Sequence, residues 1–376
     1  MGRRIFILIL LAVTVLFVSI AFLFGNAVPR ENSLPKIEPT IKTEDKSRIE
    51  IPRASIIASG LEIPWGLAFL PDGSILFTER PGQVRMIDME GNFLPSPIAN
   101  IPQVKHIGEG GLLGIAIHPD FKNNKHIYLY YTYSSTENNT LNRVARFNFE
   151  NGTLTHEQVI VDAIPGAINH NGGRIKFGPD NFLYITTGDA QNPSLAQDVN
   201  SLAGKILRVT DEGKPAAGNP FNNLVYSNGH RNPQGFSWDG KGRLWATEHG
   251  PQARDELNLI EKGANYGWPV ITGNEEREGM KKPVLQSGDS TWAPAGAVFV
   301  ENSIFFAGLR GNALFEAKLL DGEVELKEYL KGEFGRIRDV VLGSDGFLYI
   351  TTSNRDGRGI PREGDDKIIR INPKKL

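Results

Sequence analysis

The 376-residue chain contains no cysteine, which excludes disulfide staples, thiolate metal centres and thiol catalysis together. It also lacks any excess of charge: 41 Lys and Arg stand against 43 Asp and Glu, a formal net charge of −2. Binding through nucleic-acid phosphates needs a basic balance or stripe, so no nucleic-acid partner is expected. Long apolar runs are scarce as well. The one that stands out is Ile5–Phe24, twenty residues without a charge, preceded by Arg3 and Arg4 and followed by polar sequence with Pro29, Pro35 and Pro39. About twenty apolar residues can span a bilayer, whereas a cleavable signal is shorter and ends in small residues, here only Gly25-Asn26-Ala27. Signal and anchor both export the rest of the chain, because positive charge stays inside. Residues 1–25 are therefore assigned to a hydrophobic signal or membrane anchor, 26–52 to a polar linker and 53–376 to one domain outside the cytoplasm.

Within that domain a short apolar strand runs six times into a Pro/Asp/Gly turn and returns as a strand rich in aromatic and β-branched residues. The pairs are Leu67–Glu79, Leu113–Tyr133, Arg174–Gly188, Gly235–Gly250, Ala297–Gly311 and Asp339–Ser353. Their turn residues, Asp72, Asp120, Asp180, Asp239, Asn302 and Asp345, lie 48, 60, 59, 63 and 43 residues apart, the period of a β-propeller blade. Each pair precedes a third strand, such as QVRMIDM or KIIRINP, and four of the first five blades show a fourth, such as Glu157–Ala163 and Val324–Leu330. The sixth repeat ends at Leu376 with no room for one. An isolated strand, Ala54–Ser59, precedes the first repeat. Closing the ring with it removes the open sheet edges, so the fold expected is all-β: a six-bladed propeller of four-stranded antiparallel blades, closed by the N-terminal strand.

Propeller topology then fixes where chemistry can sit. Loops entering the first strand and leaving the second share one face, and the short turns between those strands lie on the other. The first face gathers His170 in NHNGG, Arg231 in GHRNPQG, His249, Asp255 and Glu256 in EHGPQARDE, Arg310 in GLRGN, and Arg336 and Arg338 in GRIRD. So many cations around a central channel suit a multiply anionic ligand. Blander readings exist for each: His170 as an ordinary loop histidine, Asp255-Glu256 as a surface acidic pair, the arginines as solvated. Arg336 and Arg338, at i and i+2 on an inner strand, point the same way, and an unpaired pair there would repel unless an anion joins it. His106, His118, His126, His156 and His230 lack metal-ligand spacing and are assigned structural or surface roles.

Six motifs in order, GGLLGIAIHPDF, NHNGGRIKFGPD, GHRNPQG, EHGPQARDELNLI, NYGWP and GRIRD, spread over about Ile56–Pro373. In them the chain resembles the soluble quinoprotein aldose dehydrogenases, the glucose/sorbosone dehydrogenase family of six-bladed propellers that use pyrroloquinoline quinone (PQQ) and calcium. The resemblance implies oxidation of an aldose mono- or disaccharide at its anomeric carbon, giving the lactone, with electrons passed to an acceptor the sequence does not identify. It implies that His170 is the catalytic base and that Arg231 and Asn232 contact the quinone, Arg231 polarising its reactive carbonyl. Arg310, Arg336 and Arg338 resemble ligands of the cofactor carboxylates. The carbonyls of Gly250 and Pro251 would hold the calcium that bridges to the quinone, and Glu256 and Tyr266 match residues that hold a further calcium.

Departures from the family pattern fall at cofactor positions. Glu109 and His249 stand where glutamine is frequent, and Arg310 where some members have lysine; Arg310 keeps the charge and adds a bidentate fork. Glu109 beside an anionic cofactor is less comfortable, and either contact with sugar hydroxyls or protonation would relieve it. Two other functions fit the fold: a calcium-dependent lactonase-type hydrolase, which wants carboxylate and amide ligands on the axis, and a non-catalytic binding propeller.

Overall fold

A computed structural model describes residues 51–136 and 139–376. The hydrophobic segment and nearly all of the polar linker lie outside the described residues. Among the described residues no helix is long and apolar enough to cross a membrane. The chain forms six four-stranded antiparallel sheets, each built from consecutive strands except the last. The innermost strands are Pro64–Phe69, Leu112–Ile117, Ile175–Phe177, Pro233–Trp238, Pro294–Val300 and Ile337–Leu342, and they define blades 1 to 6. All five first blades possess a fourth strand, one more than the sequence showed. In blades 1 and 4 it is only Ala99–Asn100 and Leu285–Gln286, too short to carry an alternating pattern.

Blade 6 closes as expected. Ala54–Ser59 pairs antiparallel with Lys367–Ile371, Ala54 opposite Ile371 and Ser59 opposite Lys367. Ile368, Ile369 and Ile371 on the partner strand are wholly buried. A protein truncated through Ser59 is therefore expected to lose at least ~10 °C in thermal midpoint, equivalent to several kcal/mol, or to aggregate through the bared edge. A protein that begins at Ile51 keeps the closing strand and is the reference for this comparison. Comparing the two truncations by differential scanning calorimetry checks this.

The sheets pack face to face through apolar clusters, for example Leu76, Val84, Ile115 and Leu129 between blades 1 and 2. Near the axis the packing is closer still. A Cβ on Gly114 would lie 2.2 Å from the Gly173 carbonyl, and one on Gly235 would lie 1.9 Å from that of Ala295, so glycine alone lets these inner strands approach. Five of the six inner strands carry a register irregularity at their entrance, as between Ile337 and Asp339, which re-aims side chains there. Asp339 uses that freedom to tie blades together across the axis: its Oδ2 accepts from Arg174 Nη1 at 2.8 Å and from the Leu67 amide at 3.1 Å.

Candidate active site

His170 is the centre of the candidate site. Its φ is +61°, an uncommon conformation for a residue with a side chain, and neighbouring groups hold it there. Glu109 grips this backbone twice, its amide donating to the Ile168 carbonyl at 2.7 Å and its Oε2 accepting from the His170 amide at 3.0 Å. The imidazole Nδ1 lies 2.7 Å from Oδ1 of Asp189, a carboxylate with no exposed surface, and Trp268 Nε1 donates to the other oxygen at 2.8 Å. In the tautomer with its proton on Nδ1, the ring donates to Asp189 Oδ1 and keeps the lone pair on Nε2.

Within the protein itself Glu109 faces positive groups. Burial opposes its ionisation, but the Arg358 hydrogen bond, the nearby His249 and the His170 amide together bring its pKa down to about 2. Arg358 Nη1 bonds Glu109 Oε1, and Nη2 donates to Asn169 Oδ1 at 2.7 Å. This guanidinium ties the loop after the second strand of blade 6 to the loops entering blades 2 and 3, beside the His170 backbone.

Arg336 and Arg338 point the same way, but the protein itself supplies an anion between them. Asp356 Oδ2 accepts from Arg336 Nη2 at 2.8 Å and lies 3.8 Å from Arg338 Nη2. The anion that such a pair calls for is supplied in part by the protein: Asp356, from the loop after the second strand of blade 6, shares it. One carboxylate does not balance the cluster, which also contains buried Arg80. Burial pulls the Arg338 pKa down to about 9, the charge of Asp356 opposing and those of Arg80 and Arg336 adding to the effect. Arg338 Nη1 donates to Gln234 Oε1 at 2.6 Å, while its Nε has no partner.

That orphaned atom is one of nine such buried side-chain atoms among the described residues, and three more of the nine lie on loops of the same face. Arg231 Nε, Asn232 Nδ2 and His249 Nε2 are likewise buried without a hydrogen-bond partner. Asn232 spends its oxygen on the Gly172 amide at 3.0 Å, so its amide group is the free end. Arg231 is held by its main chain against Glu248 and by its guanidinium 5.3 Å above the Trp268 ring. Burial drives the His249 pKa well below its ordinary value, outweighing the opposing charges of Asp255 and Glu109, with Arg338 and Arg231 also within range. A neutral imidazole here can donate as well as accept. Unpaired buried polar groups are costly and uncommon. Four of them around one histidine point to a ligand rich in oxygen acceptors.

Arg310 is exposed in the loop after Ser303–Gly308 and makes no ion pair among the described residues. Gly250, Pro251, Glu256 and Tyr266 do come together with Arg231 and His249, lining one small cavity. The carbonyls of Gly250 and Pro251 accept no hydrogen bond from the described residues, which leaves them available to a hard cation. Glu256 is half-buried beside Glu248, and desolvation first, then that negative charge, pushes its pKa up to about 8. Its oxygens accept from Asn258 and the Gly273 amide, at 3.0 and 3.1 Å. The phenol of Tyr266 donates to the Leu259 carbonyl at 2.6 Å and accepts from the Glu261 amide, so only its main-chain carbonyl remains for a cation. Asp255 belongs to the scaffold, accepting from Gly250, Trp292, Ala293 and Thr291. His230 is also structural, fully buried between Ser227 and Glu248 and stacked on Tyr266 at 4.8 Å. Among the described residues no three His, Cys, Asp or Glu side chains cluster as a metal site.

Sequence reasoning does not single out Asp189, Trp268, Asp356 or Arg358. Asp189 sits in TGDAQNPS, a loop that leaves a second strand on the functional face. The run Asn354–Gly359, NRDGRG, carries the same signal, a charged glycine-containing loop leaving a second strand, and that signal could have found Asp356 and Arg358.

Fold and site together define a six-bladed propeller enzyme with a histidine–aspartate pair set beside an arginine-rich pocket. Residues 61–363 match the Glucose / Sorbosone dehydrogenase family. The PQQ-bound aldose sugar dehydrogenase of Streptomyces coelicolor is 40% identical with a TM-score of 0.80, over 85% of this chain and 99% of that one. An aldose sugar dehydrogenase of Escherichia coli is 32% identical over 80% of this chain and 90% of its own. Quinoprotein glucose dehydrogenase B of Acinetobacter calcoaceticus is 34% identical over 60% of this chain and 54% of its own. The chain belongs to the Glucose / Sorbosone dehydrogenase family.

Proposed function

We propose that this chain is a PQQ- and calcium-dependent aldose dehydrogenase, acting outside the cytoplasm, that oxidises the anomeric carbon of mono- or disaccharides to the lactone. The observation that carries the reading is the set of unpartnered buried nitrogens on Arg231, Asn232, His249 and Arg338, around the His170–Asp189 pair. These donors fit a quinone bearing several carboxylates, and the free carbonyls of Gly250 and Pro251 fit calcium beside it. When bound, PQQ supplies the acceptor for the hydride leaving the anomeric carbon, and calcium a Lewis acid next to it. Nε2 of His170 takes the anomeric hydroxyl proton, and Asp189 fixes the tautomer and steadies the imidazolium. Arg231, braced by Glu248 and Trp268, stabilises negative charge that develops in the pocket. Arg336, Arg338 and exposed Arg310 hold carboxylates, Glu109 fixes the His170 backbone, and Glu256 with the Tyr266 carbonyl would hold a further calcium. The lactonase reading has no carboxylate cluster to rest on among the described residues, and simple docking has no use for an oriented imidazole. The test is optical: the quinone absorbance of reconstituted protein should change to that of the reduced form on addition of glucose. An unchanged spectrum with several aldoses would overturn the proposal.

Arg338→Ala is expected to weaken quinone binding more than it slows turnover at saturating quinone, because its role is remote from the reacting carbon. Loss of one charge-assisted partner costs roughly 1.5–3 kcal/mol, about ten- to a hundredfold in affinity. Fluorescence titration with quinone checks this. Equal affinities in wild type and the Arg336→Ala/Arg338→Ala double variant would move the carboxylate site elsewhere.

A further inference from the structure

On the opposite face of the propeller, between blades 3 and 4, lies a groove of about 360 Å³, within the size range of small-molecule sites. Its floor is Tyr184, 4% exposed, against which the half-buried Tyr226 and Trp238 stand edge-to-face with ring centroids 5.4 and 5.1 Å away. Asp180, Arg243 and Glu261 complete the rim. Each of these charges already has a partner within the protein: Asp180 pairs with Arg208 at 2.8 Å, Arg243 with Asp239 at 2.7 Å and Glu261 with Lys281 at 2.9 Å. The groove therefore offers a ligand no uncompensated charge. What it offers is aromatic surface and two ring donors without a hydrogen-bond partner among the described residues, the Tyr226 hydroxyl and the Trp238 indole N–H. Tyr184, by contrast, spends its hydroxyl on Asp180.

Comparison among the blades shows that this is more than the way propeller sheets meet. Blade 6 repeats the surroundings closely, with Tyr349 donating to Asp345 and Arg370 pairing with the same carboxylate over Phe347. The ring facing Tyr349 there is Phe69, which has no polar atom. At the inner-strand position where blade 4 has Trp238, the other blades have Phe69, Ile117, Phe177, Phe299 and Leu342. Only blade 4 puts a hydrogen-bond donor at this position.

We infer that this groove is a second, non-catalytic site for a neutral saccharide, seated with a sugar ring on Trp238 and Tyr226 and its hydroxyls bonded to their free donors. A pyranose matches this chemistry because it is uncharged, presents an apolar C–H face to an aromatic ring and carries hydroxyls that accept from N–H and O–H. The inference is independent of the proposed oxidation and survives its failure, since binding here needs neither quinone nor calcium.

The test is a titration of quinone-free, full-length protein with maltose, followed by saturation-transfer NMR. Wild type should bind with a dissociation constant of about 1 mM, the weak end of specific affinity. Trp238→Phe restores the ring found in blades 1, 3 and 5 and should fold normally, yet together with Tyr226→Phe it should weaken binding at least tenfold. Arg231→Ala, on the other face, should bind maltose as wild type does. The inference is overturned if wild type shows no binding up to roughly 100 mM, two decades above that constant. It is equally overturned if the double phenylalanine variant binds as wild type, or if Arg231→Ala abolishes the signal while the groove variants keep it.

Discussion

Quinone-free, chelated protein is expected to show no measurable aldose oxidation, and activity should return only when PQQ and calcium are both restored. The reaction removes a proton and a hydride from the sugar, and the protein has a group for the first alone. Imidazole, carboxylate and guanidinium can hold or move a proton but accept no electron pair, and the absence of cysteine removes the one side-chain redox couple proteins commonly use. The four orphaned nitrogens and the two free carbonyls would then have no partner, which is the uncompensated state that makes ligand binding favourable. The measurement is dye-linked glucose oxidation after exhaustive chelation, with PQQ and calcium added back separately and together. Full turnover in the chelated, quinone-free sample would remove the dehydrogenase reading.

His170→Ala should retain quinone and calcium binding but lose turnover by on the order of a hundredfold or more, the usual contribution of a positioned base. His170→Gln should be similarly impaired, because an amide keeps a hydrogen bond but takes no proton at neutral pH. Asp189→Asn gives the complementary case. The asparagine side chain can present a donor to Nδ1, which favours the tautomer with its proton on Nε2 and removes the basic atom from the sugar side. It should therefore approach the His170→Ala defect although no group touching substrate has been changed. Stopped-flow reduction at saturating cofactor, with wild type and the three variants, measures all of this. A His170 variant reducing quinone near the wild-type rate would take the residue out of the mechanism and leave His249 as the next candidate.

Blade number, closure and the face shared by the loops are all legible in the sequence, because each is written in local chemistry. A turn every 43 to 63 residues and a lone strand at Ala54–Ser59 leave few other ways to pair all the edges. The loops bearing His170, Arg231 and Arg338 could be placed on one face from strand alternation alone. Two-residue strands such as Ala99–Asn100 were not legible, since a period of two needs more than two residues to show itself.

What the sequence determined by itself was an inventory: six blades, a ring closed by its first strand, and a face on which His170, Arg231, Asn232, His249, Arg336 and Arg338 assemble. Pairing was decided only by the tertiary structure. Asp189 lies 19 residues from His170, Asp356 lies 20 from Arg336, and Glu109 lies 249 from the Arg358 that keeps it ionised. Whether a charged side chain is a free ligand or a satisfied scaffold group depends on which other loop arrives beside it. Loops from different blades meet at the channel with no repeat in sequence to mark the encounter. The same holds for the groove at Trp238, where one indole among six equivalent positions matters only because Tyr184 and Tyr226 come from the neighbouring blade to face it.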